Sequence, residues 1–246
     1  MKKALFYILL FFPLCAQAQI GEHRNDFSVG VNGGYVMSTV EFTPTVSQDY
    51  HTGFTGGLSL RYVCEKYFNT ICSVQAEVNF SQIGWKEKVK DQDNGAVINP
   101  VTGQEEKYER TINYLQVPLF AHLAWGREQK GFNFFVQAGP QVGFCLSEST
   151  KKNFDMAHIN LEDRVNKVIA QDTMKVEKRF DYGIALGGGI EFSHRKMGHF
   201  QLEGRYYYGL GNIYGDSKRD YFSKSNHQSI IIKLTYLFDV VKTKRD

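Results

Sequence analysis

FDYGIALGGGIEFS, residues Phe180 to Ser193, sorts its two faces without exception. Phe180, Tyr182, Ile184, Leu186, Ile190 and Phe192 share one parity, where only Gly188 lacks a side chain. Asp181, Gly183, Ala185, Gly187, Gly189, Glu191 and Ser193 share the other. Successive side chains of a strand point to opposite faces, so this is a strand with one oily face and one small, polar or charged face. Carboxylates and glycines do not suit the inner face of a soluble core. They suit a polar lumen, with the oily face turned to lipid.

The same alternation recurs along the chain. Phe27–Ser38, Phe54–Cys64, Cys72–Phe80, Tyr108–Trp125, Phe132–Leu146, Phe200–Leu210 and Gln228–Phe238 all carry it, which with Phe180–Ser193 predicts eight strands. The connections then sort by length. Thr39–Thr52, Lys86–Lys107, Glu148–Lys178 and Gly211–Asn226 are long, whereas Glu65–Ile71, Gly126–Gly131 and His194–His199 are short. This regularity is independent of the side-chain alternation, and it is the layout of an all-β, eight-stranded antiparallel transmembrane barrel with long extracellular loops and short periplasmic turns. Strands of about eleven residues reach across a bilayer. A lipocalin-like soluble barrel keeps its apolar residues inside and fits less well. Pro118 and Pro140 fall inside strands, which places them at bulges.

Aromatic residues make up 14% of the chain. Trp125, Phe132, Phe192, Phe200 and Phe238 lie toward the short-turn rim, and Tyr35, Trp85, Tyr182 and Tyr208 toward the other, as two interfacial belts would. In the third long loop, Asn160 to Ala170 reads as a short helix over the mouth, with Asn160 as its cap.

The first residues read as a secretory signal: Lys2 and Lys3, an apolar run to Leu14, and Ala16-Gln17-Ala18 as the cleavage pattern. Residues 1–18 are then the signal and 19–246 the barrel domain. Phe12-Pro13-Leu14 before Cys15 is a poor match to a lipoprotein signal. Without Lys2 and Lys3 the formal charge falls from +3 to +1, and no basic block stands out, so nucleic acid is not the partner. No later segment approaches the ~18 apolar residues of a transmembrane helix. Of the remaining cysteines, Cys64 and Cys72 flank a predicted hairpin turn. An oxidising compartment permits a disulfide between them, and two unpaired thiols are the alternative.

Charged residues of both signs fall on the inner face: Arg61, Glu77, Asp181, Glu191, Glu203, Arg205 and Lys233. An eight-stranded interior is just wide enough to be filled by its own side chains, and a buried charge must be paired. The expectation is a structural network plugging the lumen, with Glu77 facing the strand of Arg61 and Glu191 paired toward Arg205. A narrow conduit for ions or small solutes is the sharper alternative. His122 is the one histidine within a strand pattern and reads as a satisfied lumen residue. No nucleophile–base spacing and no cysteine–histidine spacing marks a catalytic or metal site, and no cofactor is implied.

Six segments carry a resemblance: VGVNGGY, GFTGGLSLRY, QAEVNFSQIGWK, YLQVPLFAHL, FFVQAGPQVGF and FDYGIALGGGIEF. Their order and spacing resemble the PorT-like outer-membrane β-barrel family from about Gly30 to Phe238. That resemblance implies a barrel in the outer membrane of a Gram-negative bacterium, embedded in lipid, with envelope or secretion-system proteins as partners. It also implies a link to type IX secretion, and it brings no catalytic residues. Outer-membrane barrels often end on an aromatic residue, whereas here Phe238 is followed by Asp239 to Asp246.

Overall fold

The computed structural model describes residues 21–99, 101–128, 130–155, 164–165, 170–215 and 221–243. Among them, eight long strands form the wall: β1 (Glu22–Thr43), β2 (His51–Tyr67), β3 (Thr70–Lys88), β4 (Lys107–Gly126), β5 (Lys130–Lys152), β6 (Phe180–His194), β7 (Gly198–Asn212) and β8 (Lys224–Val241). Every strand pairs antiparallel with its sequence neighbours, and β1 pairs with β8 from Phe27↔Val241 to Thr43↔Lys224. The sheet therefore closes on itself and leaves no long edge unpaired. A two-residue strand, Gln48–Asp49, pairs with Glu87 and Lys86 of β3 outside the ring. One four-residue helix, α1 (Ala170–Thr173), lies in the connection after β5. The helix expected over Asn160–Ala170 falls almost wholly outside the described residues.

All eight predicted strands are present, and β1, β3, β5 and β8 continue past their predicted limits at the loop rim, to Thr43, to Lys88, to Lys152 and back to Lys224. The first long connection is reduced to residues 44–50 because β1 continues to Thr43 and β2 begins at His51. The reason lies in a reversal of the side-chain pattern. Through the lower half, apolar residues face outward, with Leu186 59% and Leu234 65% exposed, while the inward positions are polar. On β3 the outward run Val74, Ala76, Val78, Phe80 gives way to Gln82, Gly84, Lys86 and Lys88. Its inward run changes from Gln75, Glu77, Asn79 to Ile83 and Trp85. The change occurs at the same height on β1, where Val36, Val40 and Phe42 point inward, and on β4, where Tyr108, Ile112 and Tyr114 do. The upper part of the barrel is a soluble β-barrel with an apolar core, stacked on a membrane barrel with a polar one.

That core gathers Phe42, Trp85, Tyr108, Tyr114, Tyr214 and Phe222 with Val36, Ile83, Ile112 and Ile213. Phe42 packs edge-on to Trp85 at 5.4 Å and tilted against Phe222 at 4.7 Å, geometries that suit aromatic quadrupoles. Trp85, expected in the outer belt, is therefore inside and fully buried. The turn-side belt holds the expected Phe132, Phe192 and Phe200, in the pairs Phe132–Phe192 and Phe200–Tyr236, while Phe54–Phe80 and Phe144–Phe180 pair on the loop side.

Neither mid-strand proline sits at a bulge. Pro118↔Gln141 and Ala121↔Ala138 belong to one unshifted register, and Pro140 pairs opposite Ile184 in an unbroken run. The missing amide donors are absorbed instead by short lapses in the ladder, between Ala76 and Asn79 on β3 and between Pro118 and Ala121 on β4. A true bulge lies at Cys64: Val63 faces Ser73 and Glu65 faces Cys72, leaving Cys64 without a cross-strand partner. Cys64 and Cys72 are both free thiols, contrary to the disulfide reading, because the extra residue sets Glu65 rather than Cys64 opposite Cys72.

Candidate functional site

The lumen brings the predicted charges together, in pairings the sequence did not foretell. Glu77 on β3 is the centre. Arg205 on β7 donates to both its oxygens at 2.9 and 3.0 Å, and Lys233 on β8 does so at 2.6 and 2.7 Å. Gln75 and Asn79, two residues to either side of Glu77, complete its acceptor capacity at 3.0 and 2.8 Å. Arg205 also donates to its strand neighbour Glu203 at 2.6 and 3.1 Å, and Gln137 of β5 reaches Glu203 at 2.6 Å. The guanidinium plane lies 4.4 Å from the ring centre of Phe120, a cation–π contact. Two acids and two bases are thus balanced in a site where Glu77 and Lys233 are each 1% exposed.

Glu191 is salt-bridged to Arg61, across the barrel, and not to Arg205. Glu77 in turn leaves Arg61 for Arg205. The strands fix only which residues face inward. An inward side chain in so narrow a lumen reaches the opposite wall, so adjacency of strands did not predict the partner. Tyr207 donates to the remaining acid, Asp181, at 2.7 Å. The glycines of the opening stretch make room for these groups. A Cβ on Gly187 would lie 2.7 Å from Glu203 Oε1, and one on Gly183 would lie 2.8 Å from the Tyr207 ring.

Below this network, the turn rim opens into a cavity of about 420 Å³. Its polar wall carries a hydrogen-bonded chain: Ser28 donates to Asp239 at 2.6 Å, His199 bridges Asp239 at 3.1 Å and Glu191 at 2.9 Å, and Ser193 donates to Glu191 at 2.9 Å. Ser193, His199 and Asp239 resemble a serine–histidine–acid relay in composition. Chemically they differ, because both ring nitrogens of His199 face carboxylates. Nδ1, the nitrogen 2.8 Å from Ser193 Oγ, is shared with Glu191 at 2.9 Å, so it is not dedicated to the serine as in such a relay. His122, above it, is 1% exposed and contacts Ser73 and Gln201 through its two nitrogens at 3.1 and 3.4 Å. Among the described residues no group of three or more His, Cys, Asp or Glu is placed to hold a metal. Asp239 and His199 were not singled out from sequence. Both continue the inward parity of their strands past the rim aromatics, which is the signal that finds them.

At the loop rim the barrel is closed by α1. The Gln171 carbonyl accepts from Tyr108 and Tyr214 hydroxyls at 3.4 and 3.2 Å, and Arg110 donates to the Met174 carbonyl at 2.5 Å. Gln171 reaches Glu87 at 3.1 Å. Glu87 stands beyond the last lipid-facing residue of its strand, Phe80, and burial raises its carboxyl. Burial likewise pushes Asp172, in α1, up to about 8, with repulsion from Glu87 adding to it.

A closed antiparallel barrel with a lipid-matched exterior, paired charges inside and belts at two levels defines an integral β-barrel of a membrane. The chain belongs to the outer membrane protein beta-barrel domain family, which matches residues 17–215. Its place is accordingly the outer membrane, with short turns toward the periplasm. No curated protein matches the chain. Among solved structures, Ail, the attachment invasion locus protein of Yersinia pestis, aligns at 12% identity and a TM-score of 0.35, covering 88% of this chain and 99% of its own. Neisserial surface protein A aligns at 10% identity and a TM-score of 0.40, covering 86% and 97%. OprG of Pseudomonas aeruginosa aligns at 14% and 0.39, covering 89% and 98%. Likeness at this level says nothing about shared activity.

Proposed function

We propose that the protein is a PorT-like outer-membrane barrel with a structural or interaction role, its loops and periplasmic face engaging other envelope components, a type IX secretion apparatus among them. It works without catalysis, and the signal segment is cleaved after Ala18. The observation that carries this reading is the double closure of the lumen. The network of Glu77, Glu203, Arg205 and Lys233, with Arg61–Glu191 below, serves structure by filling the membrane level, and the aromatic core with α1 fills the level above. A solute conduit would need both to part at once. What remains for outside partners is the two faces.

The test is affinity purification from native membranes in mild detergent, read by mass spectrometry. Defined envelope proteins are expected to co-purify, and to be lost when the connection between Glu148 and Lys178 is shortened. Recovery of the barrel alone, together with stable unitary currents in planar bilayers, would overturn the reading in favour of a narrow channel.

A further inference from the structure

The turn rim divides into two sectors of unlike charge. At the start of β1 and the end of β2, bases are matched by acids: Arg24 meets Glu22 at 2.7 Å and Glu128 at 3.3 Å, and Lys66 meets Glu128 at 3.2 Å. Glu128 is the sole acid of the β4–β5 turn, Gly126 to Gly131. By facing Arg24 and Lys66 it leaves Arg127 and Lys130 of its own turn unanswered. The β6–β7 turn, His194 to Gly198, carries Arg195 and Lys196 and no acid. Lys130 pairs opposite His194, so the two turns lie side by side. Among the described residues, Arg127, Lys130, Arg195 and Lys196 have no ion-pair partner, and all four are exposed. Lys242 of the tail donates to the Arg195 carbonyl at 3.3 Å, but its charge is answered by Asp239 at 2.8 Å.

Their height decides what they meet. Lys130 stands two residues beyond Phe132, whose ring lies 5.1 Å from that of Phe192 in the turn-side belt, and Arg195 stands three beyond Phe192. Two strand residues advance about 7 Å along a tilted strand. That distance falls within the interfacial layer, roughly 5–8 Å on each side of the hydrocarbon. Lipid headgroups therefore surround these side chains already, whereas a polypeptide would have to displace them. Met197, next to Lys196, is 54% exposed, and an apolar tip among cations suits a leaflet better than water. A zwitterionic headgroup neutralises its phosphate with its own amine. An anionic one does not, and each basic residue near an anionic surface is worth roughly a fivefold preference.

We propose that the β4–β5 and β6–β7 turns form a binding face for anionic phospholipid of the periplasmic leaflet, with Arg127, Lys130, Arg195 and Lys196 holding the headgroup phosphates. The face occupies one side of the barrel only. Anionic lipid then gathers along β4 to β7, while the sector of Arg24 and Lys66, already neutralised by Glu22 and Glu128, shows no such preference. This face goes beyond the interaction role above and needs only the placement of the turns at the periplasmic surface.

Trp125, 39% exposed in the same belt and two residues from Arg127, is a reporter already in place. The purified barrel is reconstituted in vesicles of phosphatidylcholine and phosphatidylglycerol, with one of the two brominated on its chains. Quenching of Trp125 then gives their relative binding constant, and Trp85, buried in the upper core, adds a constant background. Phosphatidylglycerol is expected to be preferred about threefold or more at low salt. The preference should fall to about unity at high salt, which screens exposed charges, and in Arg127→Gln/Lys130→Gln/Arg195→Gln/Lys196→Gln. Lys86→Gln, at the loop rim, should retain it. Heat-modifiable gel migration verifies folding, and if the fourfold variant is not folded, Arg195→Gln/Lys196→Gln decides and should lower the preference measurably. Equal quenching by the two lipids in the wild type would overturn the proposal, as would a preference that survives neutralisation or high salt. Competition by free sn-glycerol 3-phosphate would overturn it in favour of a soluble-phosphate site. An unchanged lipid preference in the fourfold variant, with loss of co-purified envelope proteins, would overturn it in favour of a protein partner.

Discussion

Glu77→Gln tests how much of the barrel's stability depends on lumen charge balance. The substitution keeps size and one acceptor oxygen and removes one charge. Arg205 and Lys233 would then share Glu203 alone, which Lys233 approaches only to 3.6 Å. The four bonds that Glu77 accepts from the two cations, at 2.6 to 3.0 Å, fall two on each oxygen, so an amide nitrogen in place of either leaves two donors facing a donor and the other two on a neutral carbonyl. Breaking a buried pair while leaving its partner charged costs about 3–5 kcal/mol, so the unfolding equilibrium should shift by about three decades. Lys233→Met on the same background restores neutrality and should recover at least half of the loss, as a strong coupling in a double-mutant cycle. Urea unfolding from short-chain phosphatidylcholine vesicles measures this. The chain has two tryptophans, Trp85 in the upper core and Trp125 at the turn-side belt, and their fluorescence reports both halves. A single variant within about 1 kcal/mol of wild type would refute the reasoning, as would a double variant that merely sums the two losses.

Two other outcomes are expected. Gly187→Val puts a Cβ 2.7 Å from Glu203 Oε1 and should destabilise by about 1–3 kcal/mol, whereas Gly204→Ala, with nothing within 4 Å, should stay within about 0.5 kcal/mol in the same assay. For α1, the raised carboxyls of Asp172 and Glu87 mean that the docked segment holds a proton more tightly than the undocked one. Docking is then strongest below the ordinary carboxylate range and is lost as pH rises through about 8, since Arg110 and Arg164 only partly offset the burial. Amide exchange across Gln171–Thr173, corrected for intrinsic rate, should accelerate over that window, and Asp172→Asn should flatten the response.

The membrane half of the fold was legible because lipid imposes one rule on every strand. Leu58, Val78, Leu119, Leu186 and Leu234 obey it, and each fixes the inward parity of its neighbours. The upper half follows the opposite rule with the same period, so an unbroken alternation hid a change of solvent. Gln82, Gly84, Lys86 and Lys88 opposite Ile83 and Trp85 carry that inversion in plain sight, and reading sign as well as period would have placed Trp85 inside. Site membership was legible for the same reason: Arg61, Glu77, Glu191, Glu203, Arg205 and Lys233 all share the inward parity. Their partnerships were not, because a contact between Arg61 and Glu191 spans 130 positions of sequence and the width of the lumen. Orphaned atoms such as Asn133 Oδ1 are a property of packing, invisible in any periodicity.

The double closure also decides how the two sides of the membrane are coupled. A hollow barrel can breathe, and a ligand on one face could alter the bore felt on the other. Here buried side chains take the inward positions from Glu191 up to Phe42, and packed protein interiors resist compression. On the structural role proposed above the cross-section is fixed, and the protein acts as a solid pin through the bilayer. Whatever grips the loops can be felt in the periplasm only as tilt, rotation or axial displacement of the whole pin.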